Sequence, residues 1–354
     1  MSAAPHIVGQ TQTGDFPMRR SFPLPLLAAF AAAGMINACS DSTAPEARMR
    51  QAAPADVAGV AADRSHGPVA AGRFTTIDVP GATATVAFAI NDWGVAVGRY
   101  ASAGVTHGFV RSRTGKLTTI DFPAAGFTAA GAINNRGDIV GWYTLPAAPA
   151  IRHGYLLRRG TFTSFDPPGS IFTNALGIND RGEIVGRFCT RAPCRAPGNG
   201  DFHGFLLRDG QYTILDVPGS NETNAWKIND RGQTVGGFGV AGGSVELFQF
   251  RNGAFTTFAL PNGKLLNEDT GGINVRGDIV GQYCDASPCF TGQTNEHGFV
   301  LSDGRLTTID FPGALGTGSF GINVRRVVVG GYFDAASVLH GYMLRPNTRW
   351  HERW

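Results

Sequence analysis

Ala175-Leu176-Gly177-Ile178-Asn179-Asp180-Arg181-Gly182-Glu183-Ile184-Val185-Gly186, followed by His203-Gly204-Phe205 and then by Tyr212-Thr213-Ile214-Leu215-Asp216-Val217-Pro218-Gly219, is the clearest copy of a unit that recurs six times. Aligning the copies on the Ile-Asn step gives Asn91, Asn134, Asn179, Asn229, Asn274 and Asn323, spaced 43 to 50 residues apart. That period is the length of a four-stranded propeller blade. The unit itself divides into four runs of β pattern: strand a over Asn174 to Ile178, b over Glu183 to Phe188, c over His203 to Arg208 and d over Gln211 to Asp216. Asp209-Gly210 between c and d is a two-residue hairpin turn of the type in which both residues take positive φ, and Arg159-Gly160, Asn252-Gly253 and Asp303-Gly304 hold the same place. The a-to-b turns read Asn-x-Arg-Gly in four units, and Val-Pro-Gly or Phe-Pro-Gly turns the chain from d into the next unit.

The ends of the array predict how it closes. An orphan d strand, Phe74 to Asp78, precedes the first a strand, and no d strand follows the last c strand, His340 to Arg345. If the orphan completes the last unit, the count is six sheets of four strands. A linear array would instead leave strand edges open to aggregation. The predicted fold is therefore all-β, a six-bladed β-propeller spanning residues 73–346, with a short tail at 347–354. Small residues in the a strands, such as Ala130-Gly131-Ala132 and Gly271-Gly272, suit a narrow place near an axis.

Composition agrees: 49 Gly and 20 Pro in 354 residues describe a turn-rich β chain. The net charge of +3, with Lys and Arg spread singly along the sequence, argues against a nucleic-acid partner. Residues 1–39 read as an export signal: Met18-Arg19-Arg20, then an apolar stretch from Phe22 to Met35, then Ile36-Asn37-Ala38-Cys39. Met18 serves as well as Met1 for the start. The tetrad ending at Cys39 matches a lipobox, which would make Cys39 an acylated N-terminus at a cell surface or in a periplasm; ordinary secretion is the alternative. Residues 40–72, rich in Ala, Pro, Asp, Ser and Arg, read as a disordered tether.

Five histidines, His107, His153, His203, His297 and His340, open c strands, and Asp78, Asp121, Asp166, Asp216 and Asp310 close d strands. Counting back from the c-to-d turns sets His203 opposite Asp216, His153 opposite Asp166 and His297 opposite Asp310. His107 goes with Asp121, and His340 meets Asp78 across the closure. In the fourth unit Glu246 and Ala259 replace both members together, as a structural pair requires. The recurring Arg136, Arg181, Arg231, Arg276 and Arg325 of the a-to-b turns would project on one face, either attracting anions or standing as plain exposed turn residues. Trp93 takes that place in the first unit, and Arg326 takes the place of the turn Gly in the last.

The b-to-c loops differ between units and are the better place for function. Cys189 with Cys194, and Cys284 with Cys289, read as two local disulfides in an exported chain, with a zinc site as the alternative reading of the same cysteines. Trp142, Arg152 and Trp226 join them as a candidate ligand face. At Gly-Ile-Asn-Asp-Arg-Gly-Glu-Ile-Val-Gly (177–186), His203-Gly204-Phe205 and Thr-Thr-Ile-Asp-Phe-Pro (307–312), the chain resembles the HAF-family extracellular repeat proteins of bacteria, over about residues 73–345. The resemblance implies export and no particular reaction. Two functions follow as expectations. One is a noncatalytic binding or scaffold domain, monomeric, without metal or cofactor, recognising a protein or glycan and meeting a membrane only through a lipid anchor. The other is an extracellular polysaccharide hydrolase or lyase using carboxylates at the axial mouth, for which Glu222, Glu268 and Asp269 are the residues outside the repeat.

Overall fold

The computed structural model describes residues 72–192, 194, 202–240, 245–260, 264–265, 271–285 and 296–347, together with the short strands Arg50–Gln51 and Ala55–Val57. The export signal with Cys39, the second cysteine of the fifth unit's pair, Cys289, and the carboxylates Glu268 and Asp269 lie outside the described residues. The described chain is all-β, with no helix among its residues.

Each unit is an antiparallel meander. In the third, Phe172–Ile178 (a) pairs Ile184–Cys189 (b), which pairs His203–Arg208 (c), which pairs Gln211–Leu215 (d). The c-to-d hairpin closes as its sequence demands, with Arg208 opposite Gln211 and positive φ at Asp209 (50°) and Gly210 (75°). The other inner strands are Ala84–Ile90, Phe127–Ile133, Glu222–Ile228, Gly271–Ile273 and Gly316–Ile322. The orphan strand, Gly72–Ile77, runs antiparallel to the last c strand, Leu339–Pro346, with Phe74 opposite Leu344.

The hydrogen bonding is less partitioned than six separate sheets of four. Single parallel bridges, Thr106 to Phe127 and Arg152 to Phe172, join the first three units into one sheet. In the fifth unit the inner strand is only three residues long, and Lys264–Leu265 covers the far end of its b strand instead. Two pieces of the segment read as a tether also depart from that reading. Arg50–Gln51 runs parallel to the outer strand Gln211–Leu215, and Ala55–Val57 runs parallel to Ala254–Phe258, because outer strands present unpaired backbone groups that an extended segment satisfies.

One device recurs in the inner strands. The a-to-b register slips by one residue in five units, leaving Phe88, Gly131, Leu176, Trp226 and Phe320 as the extra residue. Phe88, Leu176, Trp226 and Phe320 gather with Trp142 in one buried apolar cluster. The bulge also moves a carbonyl toward the b strand, where a Cβ on Gly98, Gly141, Gly186, Gly236 or Gly330 would overlap the facing carbonyl oxygen. The Gly of each Ile-Val-Gly or equivalent step is thus fixed by close backbone approach.

Candidate functional site

The five His-Asp pairs stand at the c-strand openings. Nδ1 lies 2.9 Å from an Asp121 oxygen in His107, 2.6 Å from Asp166 in His153, 2.8 Å from Asp216 in His203, 2.8 Å from Asp310 in His297 and 3.0 Å from Asp78 in His340. A carboxylate only accepts, so Nδ1–H is the donor in every pair. Each imidazole also rests on an aromatic ring of the adjacent b strand, Tyr100, Tyr143, Phe188, Tyr283 or Tyr332, with centroids 5.1 to 5.4 Å apart. The fourth unit continues the register with Leu247 opposite Phe258, which sets Glu246 beside Ala259. Two histidines acquire a second carboxylate: His297 Nε2 lies 3.1 Å from Asp285, and His340 Nε2 lies 3.3 Å from Asp334. The bond to Asp310, with Asp285 adding to it, raises the pKa of His297 above its ordinary 6.5 against the effect of burial. For His340 burial works downward, and Asp78 and Asp334 together outweigh it, so its pKa is also raised.

The inner strands converge on a cavity of about 80 Å³ with a floor of Ile90, Ile133, Ile178, Ile228, Ile273 and Ile322. Around it the six asparagines are joined head to tail. Asn91 Nδ2 donates to the carbonyl of Asn134, Asn134 to Asn179, Asn179 to Asn229, Asn229 to Asn274, Asn274 to Asn323, and Asn323 to Asn91, at 2.8 to 3.1 Å. Outside them stand three carboxylates that sequence reasoning missed because they belong to the repeat: Asp92, Asp180 and Asp230. They too bind neighbouring turns, since Asp92 accepts from the Val324 N–H, Asp180 from the Asn135 N–H and Asp230 from the Asp180 N–H. Burial, with repulsion from Asp180 and Asp92, keeps the Asp230 carboxyl above its usual range despite the Asp180 N–H and Arg181.

The turn arginines divide. Arg181 binds Glu183 and the Asp230 carbonyl, whereas Arg136, Arg231, Arg276 and Arg325 are exposed and make no ion pair among the described residues. Arg326, in the place of a turn Gly and at φ 59°, forms a buried two-point pair with Asp278 of the preceding unit at 2.9 and 3.0 Å. Burial pushes Asp278 up, but Arg326, Ser302 and Asn274 outweigh it and hold its carboxyl below the usual range.

The candidate ligand face needs correction. Trp142 and Trp226 are buried, at 3 % and 0 % exposure, and are core residues. Glycines on the neighbouring inner strands, Gly131 and Gly271, leave the room that the indoles fill. Arg152 is half-buried over the Phe172 ring at 4.6 Å. Glu222 is buried as well, at 3 %. Cys189 and Cys194 form a disulfide, and Cys284 is disulfide-bonded. No group of His, Cys, Asp and Glu suited to a metal ion occurs among the described residues.

No family model matches the chain, and no curated protein matches it. Among solved structures it is similar to a protein of unknown function from Dyadobacter fermentans (11 % identity, TM-score 0.49, covering 77 % of this chain and 98 % of that one). It is similar to the β-propeller domain of the Trilobed protease from Pyrococcus furiosus (11 %, TM-score 0.45, 75 % and 82 %). It is also similar to virginiamycin B lyase from Staphylococcus aureus (12 %, TM-score 0.40, 77 % and 99 % for the inactive form with quinupristin at 0.39; 78 % and 89 % for the selenomethionine form).

Proposed function

We propose that the chain is an exported, closed six-bladed β-propeller of the HAF-repeat kind, serving as a noncatalytic binding or scaffold domain for a protein or glycan. The observation that carries this is the cycle of asparagine amides, whose last bond, from Asn323 to Asn91, joins the two ends of the array. The pairing of Gly72–Ile77 with Leu339–Pro346 supports the same closure, since it supplies the missing outer strand. A binding role is favoured because each repeat His is already engaged by an Asp and each axial Asp by a neighbouring turn. The disulfide-bearing loops are then the variable surface on which recognition is built.

Arg73→Cys with Arg345→Cys, which are register partners, should cross-link within one chain under oxidation. Cross-links found only between chains overturn the ring. Purified full chain applied to glycan and envelope-protein arrays should retain a ligand without cleaving it, and polysaccharide turnover overturns the noncatalytic role. The enzymatic reading has one observation of its own, the raised carboxyl of Asp230 at the axial mouth. On that reading Asp230→Asn abolishes the turnover.

A further inference from the structure

The net charge of +3 conceals a division between the two ends of the strands. Antiparallel pairing sends every a-to-b and c-to-d turn to one end, and every b-to-c and d-to-a connection to the other. The turns of the first end, with their flanking strand residues, carry sixteen Arg and Lys against eight Asp and Glu. The second end holds the aspartates of all five His pairs, with Asp285 and Asp334. Basic residues that look scattered in sequence are therefore gathered on one face, because a repeat places each unit's turn in an equivalent position.

Four details give this basic face a direction. Three of its eight acids are neutralised by arginines, Asp138 by Arg158, Glu183 by Arg181 and Arg208, and Asp278 by Arg326, and three more, Asp92, Asp180 and Asp230, are drawn in around the central cavity as acceptors for neighbouring turn N–H groups. Arg136, Arg231, Arg276 and Arg325 stay exposed, without an ion pair among the described residues. In the one unit lacking the turn arginine, Trp93 stands in its place, 59 % exposed and held by an Nε1–H bond of 3.0 Å to the Asn135 carbonyl. The chain also enters the last sheet at this end, where Gly72 lies opposite Pro346.

We propose that this face docks on an anionic lipid surface. Arginines set at one level attract anionic headgroups, and a fixed, exposed indole among them suits the interfacial layer, where Trp concentrates. A flat partner fits better than a polymer strand, since the cavity at the centre of this face measures only about 80 Å³. The proposal rests on the ring reading above for the common level of the turns, and it leaves the disulfide-bearing face outward.

The test is vesicle flotation of the full chain carrying Cys39→Ser, so that no acyl group contributes. The chain should float with phosphatidylcholine vesicles containing phosphatidylglycerol, stay behind with phosphatidylcholine alone, and be released by salt. The combined variant R136Q/R231Q/R276Q/R325Q should weaken partitioning at least about a hundredfold, and W93A about tenfold, with melting temperatures near the parent's. Equal flotation on both vesicle types, or undiminished binding by the combined variant, overturns it. So does retention on soluble polygalacturonate or duplex DNA that phosphatidylglycerol vesicles fail to compete. If the Arg73–Arg345 cross-link forms and flotation fails, this proposal falls and the ring stands; if the cross-link fails, the ring itself is at fault.

Discussion

At the scale of single residues, the repeat is written mainly in glycines and clasps. A methyl group on Gly186 would overlap the Asn174 carbonyl oxygen and the Phe205 ring, and neither backbone nor buried ring has room to retreat. Gly186→Ala should therefore destabilise by about 3 kcal/mol, measured by chemical denaturation, although alanine is an ordinary strand substitution elsewhere. The His-Asp clasps are smaller contributors. The side chains of His203 and Asp216 are 38 % and 27 % exposed, so their coupling in a double-mutant cycle of His203→Ala and Asp216→Ala should come to about 0.5–1 kcal/mol. A coupling of zero would make the recurring pair dispensable to the fold. Both features were legible in the sequence, the pairs from turn counting and the glycines from their recurrence. The carbonyl that makes the glycine obligatory was not legible, since it depends on a register slip in the partner strand.

At the scale of strands, the segment that matters most is the one farthest in sequence from its partner. Phe74 lies 5.3 Å from Phe311 and 5.7 Å from Tyr342, so Gly72–Ile77 adds a packed face as well as backbone bonds to the last sheet. Deleting residues 72–78 should bare the edge of Leu339–Pro346, leave His340 without Asp78, and drive the chain into oligomers on size-exclusion chromatography. A monomer of unchanged melting temperature after that deletion would refute the closure. The orphan strand could be recognised beforehand because it repeats the Thr-Thr-Ile-Asp wording of a d strand. The short strands Arg50–Gln51 and Ala55–Val57 could not, because parallel addition to an outer edge is made by backbone groups and leaves little trace in side-chain pattern.

For the whole described array, stability should depend on pH in two windows. His297 and His340 have raised pKa values, so the folded state binds protons more tightly than the unfolded one. Their contribution is fully present below the ordinary value of 6.5 and is lost as pH rises through the raised folded values. Asp278 is depressed, so its contribution is present above 3.8 and is lost as pH falls through its folded value. Thermal melts should accordingly weaken on both sides, and His297→Gln with His340→Gln should flatten the alkaline limb. Asp278→Ala should cost about 3 kcal/mol by stranding the buried Arg326 guanidinium between two units. By itself the sequence determined the all-β class, the repeat unit, its turns and the His-Asp pairing, because these follow from spacings of a few residues and from local backbone chemistry. Only the tertiary structure decided that Trp142 and Trp226 fill the core, that repeat aspartates surround the axial cavity, and that Arg181 and Arg326 are held in ion pairs while the other turn arginines stay exposed. Those outcomes depend on which units become neighbours and which way each turn faces, and residues about 45 positions apart meet only when strands from different units converge on a common axis.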